Sequence, residues 1–283
     1  MRHIWCSLLY ACIAQISSAR ELPYQSISNI RQLETSLQAN SLVVFDIDLT
    51  LLVPSQAVAM PQWVSAREKH LLKIYSDKSE AYDRLAADFS GVYNLVSFRP
   101  AEKDTAKFLE SLNGGKLQRK KSYDTLALTA RGFGLIQATR IHLKDNDLKF
   151  SGHFIENRQP QFFNHQDLHN PIALDRGVVY SSGQHKGMVL EKVITATNYP
   201  LKHLIFIDDE PHNLYKMAEV CGLKNWNCSL FHYAGTIEEV KRFDLDIANS
   251  QWEQLKRKIR PPRRAVCNSS KTDASAFNVG YAK

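Results

Sequence analysis

Residues 42–50 read LVVFDIDLT, and this stretch decides the fold. The unbroken apolar run Leu42 to Phe45, with its β-branched valines, is typical of a strand buried on both faces of a parallel sheet. Two acids, Asp46 and Asp48, follow the strand at once. Because ligands of open parallel sheets bind beyond the carboxyl ends of the strands, we expect the chemistry of the molecule at this point.

The unit of strand, polar strand end and helix recurs along the chain. Further strands are predicted at Thr125 to Leu128, Gly177 to Tyr180 and Leu204 to Ile207. Helical spacing of apolar residues predicts helices over 24–40, Ala101 to Leu112, Gly134 to Leu143 and Gly187 to Ala196. The polar stretch 144–175 gives no clear pattern. The order predicts the α/β class, with a doubly wound parallel sheet.

Length and composition restrict the class of protein. The chain has 283 residues, of which 44% are hydrophobic and 23% charged, close to globular averages. This excludes a disordered chain and a polytopic membrane protein. The length suits one large α/β domain or a core with a small accessory domain. Residues 54–98 are rich in helix formers and predict a small helical insertion.

Residues 1–19 resemble a cleaved signal peptide. A basic start at Arg2 is followed by a mostly apolar stretch and by small residues at 17–19. An amphipathic or buried first helix is the alternative. We therefore expect an exported protein, periplasmic or secreted, with no membrane span after signal removal. In an oxidising compartment Cys221 and Cys228 could pair, but two unpaired thiols fit the sequence equally well.

The C-terminal residues 251–283 form a basic segment, which we predict to be a flexible tail. The formal net charge of the chain is +7, and much of the excess lies in this segment. A solvated tail is the simpler interpretation, and a weak anionic partner is the alternative.

Four separate signals point to one chemistry. They are Asp46 with Asp48, Thr129 at the end of a strand, Lys186 before a helix, and Asp208 with Asp209. One carboxylate can attack phosphorus, while a second protonates the leaving alcohol and later activates water. A hydroxyl and an ammonium can hold phosphoryl oxygens. Paired acids are hard oxygen ligands that suit Mg²⁺.

The segments FDIDLTLL, ALTAR, GQHKG and IFIDDEPHN resemble motifs one to four of the haloacid dehalogenase (HAD) superfamily. The resemblance implies a HAD-like Rossmannoid core over 20–53 and 99–250, with 54–98 as a helical cap inserted between motifs one and two. The resemblance implies two catalytic residues, Asp46 as nucleophile and Asp48 as general acid and base. It implies that Thr129 and Lys186 bind the phosphate. It also implies that Mg²⁺ is bound by Asp46, Asp48 (through its carbonyl), Asp208 and Asp209.

The second acid, Asp48, favours phosphatases and phosphotransferases within that superfamily. The predicted function is a Mg²⁺-dependent phosphomonoester hydrolase with a small phosphorylated substrate, in an exported bacterial branch. A phosphotransferase on the same residues is one alternative. A non-catalytic exported binding or virulence-type protein with the same fold is another.

Several polar residues are weaker candidates. His165 and His169 stand four residues apart, as two metal ligands on a helix could, but no third ligand motif accompanies them. His212 and Asn213 end the fourth segment, just beyond its paired acids. For both, we expect a helix-capping or solvent-exposed position more than a contact with substrate.

Overall fold

The computed structural model describes residues 22–114, 123–155 and 159–259. The predicted signal peptide at 1–19 and the tail beyond residue 259 lie outside the described residues. A helix able to span a bilayer is absent from the described part of the chain.

The described residues form an α/β fold around a mostly parallel sheet, which confirms the predicted class at this level. The strands are β1 (Gln25–Ile27), β2 (Ser41–Phe45), β3 (Leu52–Pro54), β4 (Phe98–Pro100), β5 (Asp124–Thr129), β6 (Gln161–Phe163), β7 (Ile172–Asp175), β8 (Val178–Tyr180), β9 (His203–Asp208) and β10 (Cys228–Tyr233). The sheet order is β1-β10-β9-β2-β5-β8-β7-β6, and β3 pairs separately with β4.

Helices cover both faces of the sheet. They are α1 (Pro61–Ile74), α2 (Lys78–Leu95), α3 (Thr105–Asn113), α4 (Ile136–Asp145), α5 (Lys186–Ala196), α6 (Pro211–Lys224), α7 (Ile237–Lys241) and α8 (Leu245–Leu255).

Strand β2 lies in the middle of the sheet and is fully buried. It pairs in parallel with β5 on one side and β9 on the other. Leu42 and Val44 pack into one apolar cluster, which includes residues of α5 and α6. Val43 and Phe45 pack into a second cluster on the opposite face. The continuous apolar run is therefore explained by burial on both faces.

One part of the secondary-structure prediction was wrong, and one stretch that had no assignment forms two strands. Residues 24–40 contain strand β1 and a 3₁₀ helix over Ile30–Ser36, where one α-helix was expected. Asn29 caps the 3₁₀ helix by accepting the N–H of Arg31. The stretch 144–175, which showed no pattern, contributes β6 and β7. Both pair antiparallel at one edge, so the sheet is mostly but not wholly parallel.

The insertion 54–98 contains α1 and α2, which pack against each other. Its two ends meet in the antiparallel pair β3 and β4, and Ser55 N–H donates to Ser97 O at 2.9 Å. The insertion thus leaves and rejoins the chain at one point, directly after the loop that carries Asp48. We call residues 54–98 the cap.

Helix α8 crosses the predicted boundary between residues 250 and 251. Trp252 and Leu255 are buried, so these residues belong to the packed structure and not to a flexible tail. The ring of Trp252 lies 5.3 Å from that of Trp63, and the Arg67 guanidinium lies 5.0 Å from it. The cap is therefore held by the helix that follows the core.

Cys221 and Cys228 form a disulfide, which answers a question that the sequence left open. The bond joins the last turn of α6 to the start of β10. It fixes the end of the helix whose first turn faces the candidate site.

Candidate active site

Asp46 and Asp48 lie where β2 ends. Asp46 continues the ladder by donating its N–H to Ile207 O at 2.9 Å. The chain then turns back, since the N–H groups of Leu51 and Leu52 both donate to Ile47 O. Leu49 takes a positive φ of 62° within this turn. The tight turn presents both acids at the carboxyl edge of the sheet.

Three carboxylates from two neighbouring strands form one cluster. Asp46, Asp208 and Asp209 each offer an oxygen, and these oxygens lie within 4.8 Å of one another. Asp46 and Asp208 are 4% and 0% exposed. The pairing of β2 with β9 brings the ends of the two strands together.

Lys186 links the cluster. Its Nζ lies 2.5 Å from Asp46 Oδ1 and 2.6 Å from Asp208 Oδ2, and the residue is 3% exposed. It is the first residue of α5, and the following Gly187 lets that helix approach α6 closely. A Cβ at Gly187 would meet Val220 at 2.9 Å, so a side chain there would push the two helices apart.

The titration behaviour of these groups follows from burial and charge. Burial raises the pKa of Asp46 to about 7, because repulsion from Asp208 and Asp48 adds to desolvation and outweighs the attraction of Lys186. Burial and repulsion from Asp46 also raise the pKa of Asp209 well above its usual range. Burial would lower the pKa of Lys186, but Asp208 and Asp46 reverse the effect and raise it.

These residues fit a divalent cation. Within the group of four side chains, three carboxylates face one ammonium, which leaves two negative charges uncompensated when all are ionised. A buried set of this charge is costly without a counter-charge. Carboxylate oxygens are the ligands that Mg²⁺ takes in proteins, commonly one or two together with water and a substrate phosphate.

The side chain of Asp48 is not part of this three-carboxylate cluster, although it lines the same cavity. It is held by Arg131, whose Nε lies 2.8 Å from Oδ2 and whose Nη2 lies 2.7 Å from Oδ1. The hydroxyl of Tyr93 donates to Oδ1 at 3.3 Å. Of the four predicted metal-site acids, three therefore cluster through their side chains, and a role for Asp48 through its carbonyl stays a prediction.

Thr129 ends β5 and is fully buried. Its Oγ1 accepts the N–H of Arg131 at 3.2 Å, which shapes the turn after the strand. The cavity beside the cluster is lined by the next residue, Ala130, and not by Thr129. Its predicted role on a phosphoryl oxygen stays a prediction.

A cavity of about 230 Å³ opens beside the acids. Its walls include Asp46, Asp48, Asp208, Asp209 and Lys186. The cap contributes Pro61 and Ser65, and the loops and helices after the strands contribute Gly183, Gln184, Glu210, His212, Asn213 and Lys216. Core and cap residues thus share one cavity.

Two residues of this site were not predicted from the sequence. Asn213 Nδ2 donates to both oxygens of Asp208, at 3.0 and 3.2 Å, where a capping or solvent position was expected. Its place in the first turn of α6, directly after the strand end, was the available signal. Arg131 had no assigned role, and its burial could not be read from the sequence.

The histidine candidates lie elsewhere. His165 and His169 are exposed, and neither belongs to the acid cluster found among the described residues. His165 pairs with Asp167 at 3.3 Å. His212 is exposed at the cavity wall, where its Nδ1 lies 3.6 Å from Glu210.

Comparison with known proteins gives a family but no activity. A family model described as "Protein of unknown function (DUF2608)" matches residues 23–261. A "Putative outer membrane protein" of Chlamydia trachomatis is 22% identical over 224 residues, which cover 78% of this chain and 80% of that protein. Two Chlamydia pneumoniae proteins of the same description are 22% identical, each over 77% of this chain and over 80% and 78% of their own lengths. No solved structure matches the chain.

Proposed function

The chain belongs to the family described as "Protein of unknown function (DUF2608)", and for this member we propose a Mg²⁺-dependent phosphomonoester hydrolase of HAD type. The observation that carries the proposal is the contact of Lys186 Nζ with both Asp46 and Asp208, inside a cluster of three carboxylates. These groups come from three chain segments and meet beside a cavity.

The first step is attack by Asp46 on the phosphorus of a phosphomonoester. A bond forms between Asp46 Oδ and phosphorus, and the bond from phosphorus to the alcohol oxygen breaks. Asp48 enters this step protonated and donates its proton to the leaving alcohol oxygen, which leaves Asp48 as a carboxylate beside Arg131. The Lys186 ammonium offsets the negative charge that nucleophile and phosphate bring together.

The second step regenerates the enzyme. Asp48, now a carboxylate, takes a proton from water, and the water oxygen attacks phosphorus. The bond between phosphorus and Asp46 breaks and inorganic phosphate leaves. The same side chain thus gives and then recovers one proton. Its place in the wall of the same cavity, outside the acid cluster, supports this division of labour.

A divalent cation held by Asp46, Asp208 and Asp209 would neutralise phosphoryl charge and orient the phosphate. The support for Mg²⁺ is the all-oxygen donor set and its excess negative charge.

The cap supports a choice of substrate by shape. Pro61 and Ser65 at the start of α1 form part of the cavity wall. Caps of this kind exclude water and select the leaving group. We therefore propose a small phosphorylated substrate, with the leaving group directed toward α1.

Export is part of the proposal. It is supported by the signal-like residues 1–19, by the relatives that are named for the outer membrane, and by the disulfide between Cys221 and Cys228. Disulfides persist in oxidising compartments and are rare in the cytosol.

The test is phosphate release from a panel of phosphomonoesters by the mature protein, with and without Mg²⁺. Wild type is expected to release phosphate only with the metal, and Asp46→Asn is expected to release none. Asp147→Asn is the matched control, because Asp147 is exposed and has a positive φ that asparagine tolerates. Equal inactivity of wild type and Asp46→Asn across the panel would favour a binding protein. Turnover that requires an acceptor alcohol would favour a phosphotransferase.

A further inference from the structure

Arg131 is a buried cation whose carboxylate partner is the proposed acid and base. The residue is 2% exposed, and it grips both oxygens of Asp48 through Nε and Nη2. Two parallel bonds from a planar guanidinium fix the carboxylate in direction as well as in distance. Burial alone would lower the pKa of Arg131, but Asp48 outweighs it and raises the pKa, so the cation is retained.

The rest of the guanidinium is held equally firmly. Nη1 donates to Thr139 Oγ1 at 3.0 Å and lies 3.3 Å from His142 Nδ1. The rings of Tyr93 and Phe98 lie 4.9 and 5.1 Å from the central carbon. With its donors and its faces engaged, Arg131 cannot rotate without breaking several contacts.

These contacts reach the cap. Tyr93 lies near the end of α2, and Phe98 begins β4, where the cap rejoins the core. The ring of Tyr93 contacts Arg131, and its hydroxyl proton is shared between Asp48 Oδ1 at 3.3 Å and Ala59 O at 3.4 Å. The Asp48 side chain is therefore oriented by one core residue and by one cap residue.

We propose that Arg131, assisted by Tyr93, is a positioning residue that aims the Asp48 carboxylate at the leaving oxygen. This inference rests on the proposed hydrolase function. Arg131 does not line the cavity, so it acts through Asp48 and not on the substrate. Lysine could keep the charge but not the two-bonded grip.

The structure offers a matched control for a merely structural role. Arg140 makes the same forked contact with Asp175, through Nε at 2.7 Å and Nη2 at 2.6 Å. The burial of the two pairs is reversed, because Asp175 is buried and Arg140 partly exposed, whereas Arg131 is buried and Asp48 partly exposed. The Arg140 pair is not part of the cavity wall. Arg140→Lys therefore removes the same kind of forked contact with an aspartate without touching Asp48.

The experiment is a double-mutant cycle on kcat with Arg131→Lys, Asp48→Asn and the double variant. Misplacing a catalytic group by about 1 Å can cost on the order of 100-fold. We expect Arg131→Lys to lower kcat about 100-fold with KM little changed, and Arg140→Lys to leave both unchanged. In the Asp48→Asn background, Arg131→Lys should lower kcat less than about 3-fold, because the group it positions is already gone.

The inference would be overturned if the losses of kcat caused by Arg131→Lys and Asp48→Asn multiplied in the double variant. The hydrolase function would stand in that case. A wild type without phosphatase activity would instead remove the function on which the inference rests.

If Arg131→Lys does not fold, Tyr93→Phe tests the positioning role instead. It removes one hydroxyl, and we expect kcat to fall about 5-fold at constant KM. Tyr82→Phe, on the same helix, is its control, and equal kcat in the two variants would refute the role.

Discussion

The side-chain amide of Asn213 donates to both carboxylate oxygens of Asp208, with Nδ2 3.0 Å from Oδ1 and 3.2 Å from Oδ2. The backbone N–H of Glu210 adds a third contact at 2.9 Å, and the Lys186 ammonium adds a fourth. Asp208 is thus fixed before any ligand arrives. Groups that orient a metal ligand in this way commonly change metal affinity 10- to 100-fold when removed.

We therefore expect Asn213→Ala to raise the Mg²⁺ concentration needed for half-maximal activity about 10-fold. Activity at saturating Mg²⁺ should change less, because Asp46 and Asp48 are untouched. A Mg²⁺ titration of phosphate release measures both quantities. His212→Ala, at the neighbouring position whose side chain contacts Glu210, should leave the half-maximal Mg²⁺ concentration unchanged. A shared shift in the two variants would contradict the role of Asn213.

The central sheet could be predicted because burial on both faces leaves a readable pattern. The runs that became β2 and β9 are continuous and apolar, and each ends in acids. Strand β6 was not recognised in the sequence because it is short and lies at an edge of the sheet. Its side chains alternate in environment, so its sequence resembles that of a loop. The 3₁₀ helix over Ile30–Ser36 has apolar spacing close to that of an α-helix, which explains the wrong assignment there.

At the candidate site, the residues could be predicted from the sequence, but the directions in which their side chains point could not. The convergence of Asp46, Lys186 and Asp208 follows from strand order, which the repeated strand and helix pattern favours. That Asp48 faces Arg131, and that Thr129 turns its hydroxyl to the backbone, depends on side-chain rotamers in a tight turn. No spacing rule in the sequence encodes those choices.

The disulfide gives a prediction about stability. Replacing Cys221 and Cys228 by serine should lower the free energy of unfolding by about 2 to 3 kcal/mol, the loop-entropy value for a short closed loop. Urea unfolding of the variant and of wild type, each without reductant, measures the difference. Addition of dithiothreitol should lower the stability of wild type only, and an equal response of the variant would argue against the bond.

His142 gives a prediction about pH. Burial, aided by the Arg131 charge, lowers its pKa from 6.5 to about 4. Between these values the unfolded chain binds a proton that the folded chain does not, so the contribution to stability is present above pH 6.5 and lost as the pH falls. Between pH 7 and pH 5 the loss should be about 2 kcal/mol.

His142→Gln removes this titration and keeps a polar side chain beside Arg131. The variant should therefore lose about 2 kcal/mol less than wild type over the same interval, in urea unfolding at both pH values. Parallel losses in the two proteins would mean that folding does not lower the pKa of His142.

The role of the cap in substrate selection can be tested by placing a larger side chain in the cavity wall. Ser65 is exposed and lines the cavity from α1, so Ser65→Trp should narrow the space for a leaving group. We expect KM for a bulky aryl phosphate to rise about 10-fold, with acetyl phosphate almost unaffected. Lys73→Trp, at the far end of the same helix and outside the cavity wall, controls for the added indole. Equal effects on large and small substrates would place the leaving group elsewhere.

The anchoring of the cap by α8 leads to the last prediction. Trp252 is 6% exposed and packs on Trp63, so Trp252→Ala should lower the free energy of unfolding by about 3 kcal/mol. Ile247→Ala, on the same helix but 54% exposed, should cost little. Because Trp252 contacts the cap, the variant should also increase amide hydrogen exchange in α1 before exchange in β2 increases. If α1 kept its protection from exchange while global stability fell, α8 would stabilise the core and not the cap. The cap would then be held by the antiparallel pair of β3 and β4.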